Sequence, residues 1–175
     1  MKSILLGFAA LLATGCSTGR LAEMPTVAEV DLPRFMGPWY VIANIPTVIE
    51  RDAYNAVERY DLNADGTIAT TFTFRKGGFD GPLKTWRPKG FVVDPRSKAL
   101  WGMQFIWPIK ADYRIVHLDP AYTETIIARQ KRDNVWIMAR TPTIPDADYQ
   151  RLVAMVAALG YDPKLVQKVP QRWPE

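Results

Sequence analysis

The chain is predicted to be all-β with one C-terminal α-helix, built as an eight-stranded antiparallel up-and-down β-barrel. Three observations predict this. Eight short runs rich in β-branched and aromatic residues are separated by Gly, Pro, Asp and Asn turn chemistry. Trp39 heads the first run and Arg140 closes the last, so a long cation can stack on an indole and cover one end of the barrel. One amphipathic helical pattern follows the final run.

Residues 1–15 read as a cleaved export signal. Met1-Lys2 is a short positive start, 4–12 is an apolar core broken only by small residues, and Ala13-Thr14-Gly15 leads to Cys16. That core is too short to span a bilayer, which takes about 20 apolar residues. The small residues ending in Cys16 resemble the lipobox of bacterial lipoproteins. The resemblance implies that Cys16 is acylated, with diacylglycerol and palmitate, and becomes the mature N-terminus. Ser17 in place of Asp resembles an outer-membrane sorting signal, which implies a lipid-anchored protein on the periplasmic face of a bacterial outer membrane. Cys16 is the only cysteine in 175 residues, so intrachain disulfides and thiol chemistry are excluded from the mature domain. Residues 16–30 lack periodicity and read as an acylated start and tether. Residues 31–175 are left for barrel, helix and tail.

The first strand is expected at 39–44. Runs 54–62 and 67–74 flank Asn63-Ala64-Asp65-Gly66, whose Asp-Gly step supplies the positive φ of a tight hairpin. Five more strands follow at 89–93, 99–106, 113–118, 123–129 and 135–140. Gly77-Gly78, Asp94-Pro95, Asp119-Pro120 and Asp133-Asn134 are the breaks. Eight such strands in sequence close on themselves, remove exposed edges and leave room for one small ligand. In the helix, Pro145 suits the first turn, Asp146 and Asp148 complement its positive end, and Gly160 terminates it. Leu152, Met155, Val156 and Leu159 form an apolar stripe that packs on the barrel wall. The tail 162–175 is expected on the surface.

Composition narrows the partners. Hydrophobic residues make up 48% of the chain, and loss of residues 1–15 removes only Lys2, leaving 21 Lys+Arg against 18 Asp+Glu. The positive charges are scattered, with no basic, aromatic-interleaved stripe, which excludes nucleic acid as a partner.

Gly37-x-Trp39, the turn Leu118-Asp119-Pro120-Ala121-Tyr122, and Arg140 resemble the three conserved regions of the lipocalins, in order and spacing across 30–169. The segment Trp136-Ile137-Met138-Ala139-Arg140-Thr141-Pro142 is similar to the bacterial outer-membrane lipoprotein lipocalins and the apolipoprotein D branch. The resemblance implies that Gly37, Trp39, Asp119, Tyr122 and Arg140 are structural. It also implies that the barrel holds fatty acids, lysophospholipids or similar elongated apolar molecules, for lipid transport, storage or envelope maintenance, and that it needs no cofactor.

If Arg140 lies beneath Trp39, strand alternation turns Met138 and Trp136 inward. The same parity puts Ile68, Thr70 and Val92 inside, together with Tyr60, Phe72, Phe74, Trp101, Met103, Phe105, Tyr113 and Ile115. Of these, Tyr60, Phe72, Phe74, Trp101, Met103, Phe105, Tyr113, Ile115, Trp136 and Met138 are the expected ligand contacts. Glu58 and His117 share the inward parity and are the expected polar contacts. Burial of an unpaired Glu58 is costly and raises its pKa, so it is expected to reach water or a cation. Loops 46–53, 76–86 and 107–112 are expected to ring the mouth, with Ile45, Ile49, Phe79 and Ile106-Trp107-Pro108-Ile109 as apolar edges.

Two other readings stay open at this level. The apolar edges suit a partner interface, as in a structural envelope lipoprotein or a homodimer. A lipocalin-type enzyme is disfavoured, because a domain with no free thiol, one histidine, no Gly-rich phosphate loop and no metal-spaced cluster offers no nucleophilic or metal centre.

Overall fold

The computed structural model describes residues 21–173. The expected signal segment, with Cys16 and Ser17, lies outside the described residues. The elements are α1 (Leu32–Phe35), β1 (Gly37–Ile45), β2 (Ala53–Leu62), β3 (Ile68–Lys76), β4 (Leu83–Trp86), β5 (Lys89–Val92), β6 (Leu100–Ile106), β7 (Ile109–Leu118), β8 (Glu124–Ala128), β9 (Val135–Ala139), α2 (Asp146–Ala158) and β10 (Gln167–Lys168). All pairings are antiparallel and run β1-β2-β3-β5-β6-β7-β8-β9, with β9 returning to β1 to close an eight-staved barrel. Gly66, at φ 78°, makes the expected turn between β2 and β3.

Four segments differ from the sequence expectation. The expected mouth loop 76–86 contains β4, which pairs with β3 alone, so the fourth stave is split into β4 and β5. The expected loop 107–112 shrinks to Trp107 and Pro108, because β7 begins at Ile109 and pairs with Ile106. The expected tether is docked on the barrel from Ala22 onward: Met24 and Val30 are buried, the Val27 amide donates to the Ile115 carbonyl, and the Val30 amide donates to Ser97. The tail does not simply lie on the surface, since β10 extends the sheet at β1 and Val169 enters the core.

The packing falls into two shells. The inner one fills the lower barrel with Trp39, Tyr60, Trp101, Ile115 and Met138 around Phe35 of α1. The outer one joins Ile42, Ile126, Ala128 and Ile137 to Leu152 and Val156 of α2, so the predicted helical stripe does cover the wall.

The closed end is held by polar bonds as well as by packing. Arg140 stands 3.8 Å from the Trp39 ring centroid. Its guanidinium donates to the carbonyls of Pro38 at 2.8 Å, Arg34 at 2.9 Å, Phe35 at 3.0 Å and Tyr122 at 3.3 Å. The Trp39 indole donates to the Phe35 carbonyl at 2.9 Å. These bonds tie α1 across the floor as a plug. Gly37, at φ 93°, occupies a backbone region costly for other residues, and a Cβ there would lie 3.4 Å from Arg140. Asp119 organises the adjacent turn by accepting from the amides of Ala121, Thr123 and Glu124 and from the Thr123 hydroxyl. Tyr122 holds φ 62° in that turn, and its hydroxyl accepts from the amide of Asp31, whose carboxylate caps α1.

Candidate functional site

Above the plug the barrel keeps a cavity of about 300 Å³. That is the lower end of the range for small-molecule sites, about 300–1,000 Å³. Its walls come from alternate residues of facing strands: Phe72 on β3, Met103 on β6, Ala111 and Tyr113 on β7, and Trp136 on β9. Val48 and Ile49 cross the opening on a single 3-10 turn (Val48–Glu50), and Phe105 stands at the rim, 46% exposed. Asp112 and Arg129 border the mouth; Asp112 is engaged elsewhere, and Arg129 is engaged through one nitrogen while its buried Nε has no partner among the described residues. Asp112 pairs with Arg114 at 3.0 Å and accepts from the Gln130 amide. Arg129 meets Asp133 at 3.3 Å and Asn134 at 3.0 Å.

The lower boundary is aromatic and hydroxylic. Tyr113 stacks on Trp101 with centroids 5.4 Å apart, and the Tyr60 and Tyr113 hydroxyls share a short hydrogen bond. Burial comes first in pushing both phenols well above their ordinary range, and the charge of Glu58 adds to it. Both are therefore neutral hydrogen-bonding groups at physiological pH.

Two carboxyl groups point into this space. Glu58, 8% exposed, sits one inward position above Tyr60 on β2. Burial raises its pKa to about 7, a hydrogen bond with the Tyr60 hydroxyl opposes the rise, and nearby Glu50 adds to it. Glu50, 7% exposed, belongs to the 3-10 turn. It accepts from the Trp136 indole at 2.7 Å, the Thr47 amide at 2.9 Å and the Thr47 hydroxyl at 2.6 Å. The mouth turn is thus latched to a wall tryptophan through a carboxylate that the sequence reading overlooked. Its signal is present in Thr47-Val48-Ile49-Glu50, which has the spacing of a capping box.

Among the expected ligand contacts, Phe72, Met103, Phe105, Tyr113 and Trp136 line the cavity, as does Glu58. Tyr60, Trp101, Ile115 and Met138 point inward but fill the barrel below it. Phe74 is buried behind Phe72, with ring centroids 5.2 Å apart. The inward placement of His117 is corrected. The β7–β8 register passes from Ile115 opposite Ile127 to His117 opposite Ile126, so Val116 is an extra residue and the alternation reverses. His117 therefore faces the outer wall near α2. Its pKa is lowered by burial first and by Arg151, against Asp119 and Glu124. Among the described residues, no group of three or more His, Cys, Asp or Glu is placed to hold a metal ion.

A family profile described as a lipocalin-like domain matches residues 30–171. Temperature-induced lipocalin-1 of Arabidopsis thaliana is 31% identical over 158 residues, covering 85% of this chain and 83% of the relative. The outer membrane lipoprotein Blc of Citrobacter freundii is 30% identical over 159 residues, covering 88% and 87%. Insecticyanin from the tobacco hornworm Manduca sexta shares the fold, with a TM-score of 0.69 at 13% identity over 90% of this chain and 88% of that one. The plugged floor, the Trp39–Arg140 stack, the Asp119 turn and the closed barrel come together with these matches, and the chain belongs to the lipocalin family.

Proposed function

We propose that the barrel binds one elongated, single-chain apolar molecule and acts as a lipid-anchored carrier or store at the outer membrane. Fatty acids and lysophospholipids are the class the resemblance implies. The observation that carries the reading is the cavity: apolar walls, a sealed floor, and a mouth flanked by exposed Val48, Phe105, Ile106, Trp107 and Ile109. Such a rim offers a hydrocarbon an apolar path from a bilayer to the interior beside the charges of Asp112 and Arg129. Each methylene taken from water contributes about 0.8 kcal/mol, so affinity should tighten about fourfold per enclosed methylene until the cavity is full. A volume near 300 Å³ suits one chain rather than two.

Relatives named outer membrane lipoproteins support anchoring through Cys16. The reading is of binding without turnover, since the lone histidine lies on the outer wall, away from the interior carboxyls. A homodimer would form across the same apolar rim, and sedimentation of the protein with and without Trp107→Ser tests that directly.

The test of the carrier reading is extraction. Protein beginning at Ser17, purified from cells and analysed by mass spectrometry, is expected to release single-chain lipid, and the emptied protein to take up alkyl chains with a length-dependent affinity. A barrel that releases nothing and takes up no chain overturns the reading.

A further inference from the structure

We propose that Glu58 is a recognition point for the polar end of the ligand, and that the chain prefers an amphiphile carrying a protonated amine, entering amine first, over one carrying a carboxylate. This rests on the carrier reading and narrows it.

The cavity is polarised in an unusual direction for a hydrocarbon site. Its inner part holds Glu58 and the Tyr60–Tyr113 hydroxyl pair, while its outer rim carries exposed apolar side chains, with Val48 74%, Ile106 69% and Ile109 69% exposed. The groups around Glu58 are acids and hydroxyls, with one cation at the mouth. Glu50 faces it from the 3-10 turn, Tyr60 from its own strand and Tyr113 from β7. Arg129 at the mouth gives one guanidinium nitrogen to Asp133 and Asn134, and its buried Nε has no partner among the described residues, so the one cation of the described lining stands at the mouth. Asp112, also at the mouth, is committed to Arg114 and Gln130. Among the described residues, neither Glu58 nor Glu50 enters an ion pair. Glu50 already accepts three hydrogen bonds, which leaves Glu58 as the carboxyl with capacity for a ligand.

A buried carboxylate without a cation carries an uncompensated desolvation cost, and a ligand ammonium supplies the missing charge and donors together. The hydrocarbon then runs past Phe72, Met103 and Phe105, and its far end meets the apolar rim rather than water. A carboxylate placed at the same depth would meet two acids. A fatty acid is thereby restricted to the opposite orientation, with its headgroup at the mouth and its terminal methyl against hydroxyls and a carboxyl.

The test compares decylamine, decanol and decanoic acid, each below its micellar concentration, by competition against a fluorescent chain probe at about pH 6, 7 and 8. With Glu58 at about 7, its ionised fraction rises from about one-tenth at pH 6 to about nine-tenths at pH 8. Decylamine is ammonium throughout, so its affinity should rise about tenfold across that range, while decanol changes little. Glu58→Gln should weaken decylamine about tenfold at pH 8 and tighten decanoic acid. That opposite movement is one a misfolded variant cannot produce, and the wild-type pH series stands even if the variant does not fold. Equal or tighter binding of decanoic acid than decylamine at pH 8, or a variant that weakens both alike, overturns the inference and leaves the carrier reading intact. Failure of all three chains to bind overturns both.

Discussion

Replacing Glu58 by Gln should make the protein more stable at neutral and alkaline pH and no more stable in acid. The carboxyl has a folded pKa of about 7 against an ordinary 4.5, the difference arising first from burial. Each tenfold in proton affinity is about 1.4 kcal/mol, so holding Glu58 ionised in the empty barrel costs about 3 kcal/mol. The sign follows from proton counts: between about pH 4.5 and 7 the folded protein keeps a proton that the unfolded chain has lost, so stability falls as pH rises through that window and levels off above it. The amide of Gln occupies the same space without a charge and escapes the fall. Urea unfolding of delipidated wild type and variant at about pH 5, 6, 7 and 8 measures the difference, and every other titrating group cancels in the comparison. The two proteins should lie close together near pH 5 and separate by about 2–3 kcal/mol at pH 8. Parallel stability profiles, or a wild type that is the more stable at pH 8, would rule out a cost of ionising Glu58 in the folded barrel.

Arg140→Lys should cost about 2–3 kcal/mol in urea unfolding, because an ammonium cannot serve four carbonyls from one plane while stacking on Trp39; a loss under about 0.5 kcal/mol would contradict this. Asp119→Ala should cost about 1–3 kcal/mol by leaving three turn amides without their acceptor. Burial raises the Asp119 pKa, but the hydrogen bonds from Glu124, Thr123 and Ala121 together outweigh it and hold the value below 3.8. The stability it contributes is therefore present above 3.8 and lost as pH falls through the lower folded value, so the deficit of Asp119→Ala should shrink in strong acid. His117→Leu should leave chain affinity within about twofold, because the side chain lies on the outer wall, and a large loss would return His117 to the interior. Since its folded pKa is depressed, stability held by neutral His117 is lost as pH falls below about 6.5, and the variant should resist acid better than wild type.

Much of the barrel is legible because its signals are local. Asp65-Gly66 specifies a turn through one residue's φ, and the alternation of Ile68, Thr70, Phe72 and Phe74 specifies which face is buried, whatever the rest of the chain does. The Trp39–Arg140 stack is legible through the family pattern, and the α2 stripe through its period. What escapes reading depends on contacts between distant segments. A four-residue helix such as α1 is too short for any periodicity, and Pro33 in its first turn disguises it as a turn. β4 and β10 exist only because β3 and β1 offer them edges. The reversal at His117 follows from one extra residue, and no local preference of Val116 announces it. The candidate site is half legible for the same reason. Parity identifies Phe72, Met103, Tyr113 and Trp136 as inward, but the depth at which filling stops and space begins is set by how Phe35, Tyr60 and Trp101 pack together.

The proposed carrier holds a single hydrocarbon chain in the barrel beside Trp136. Changing the exposed Trp86, Trp107 and Trp173 to Phe leaves Trp39 and Trp101 sealed in the floor and Trp136 on the cavity wall. Titration of that protein with an alkyl chain brominated at its middle should quench part of the emission and saturate at one chain per barrel, and the further change Trp136→Phe should remove most of the quenching, leaving the part that reaches Trp101 behind Tyr113. Quenching that never saturates, or that is undiminished without Trp136, would contradict a single chain on the Trp136 wall.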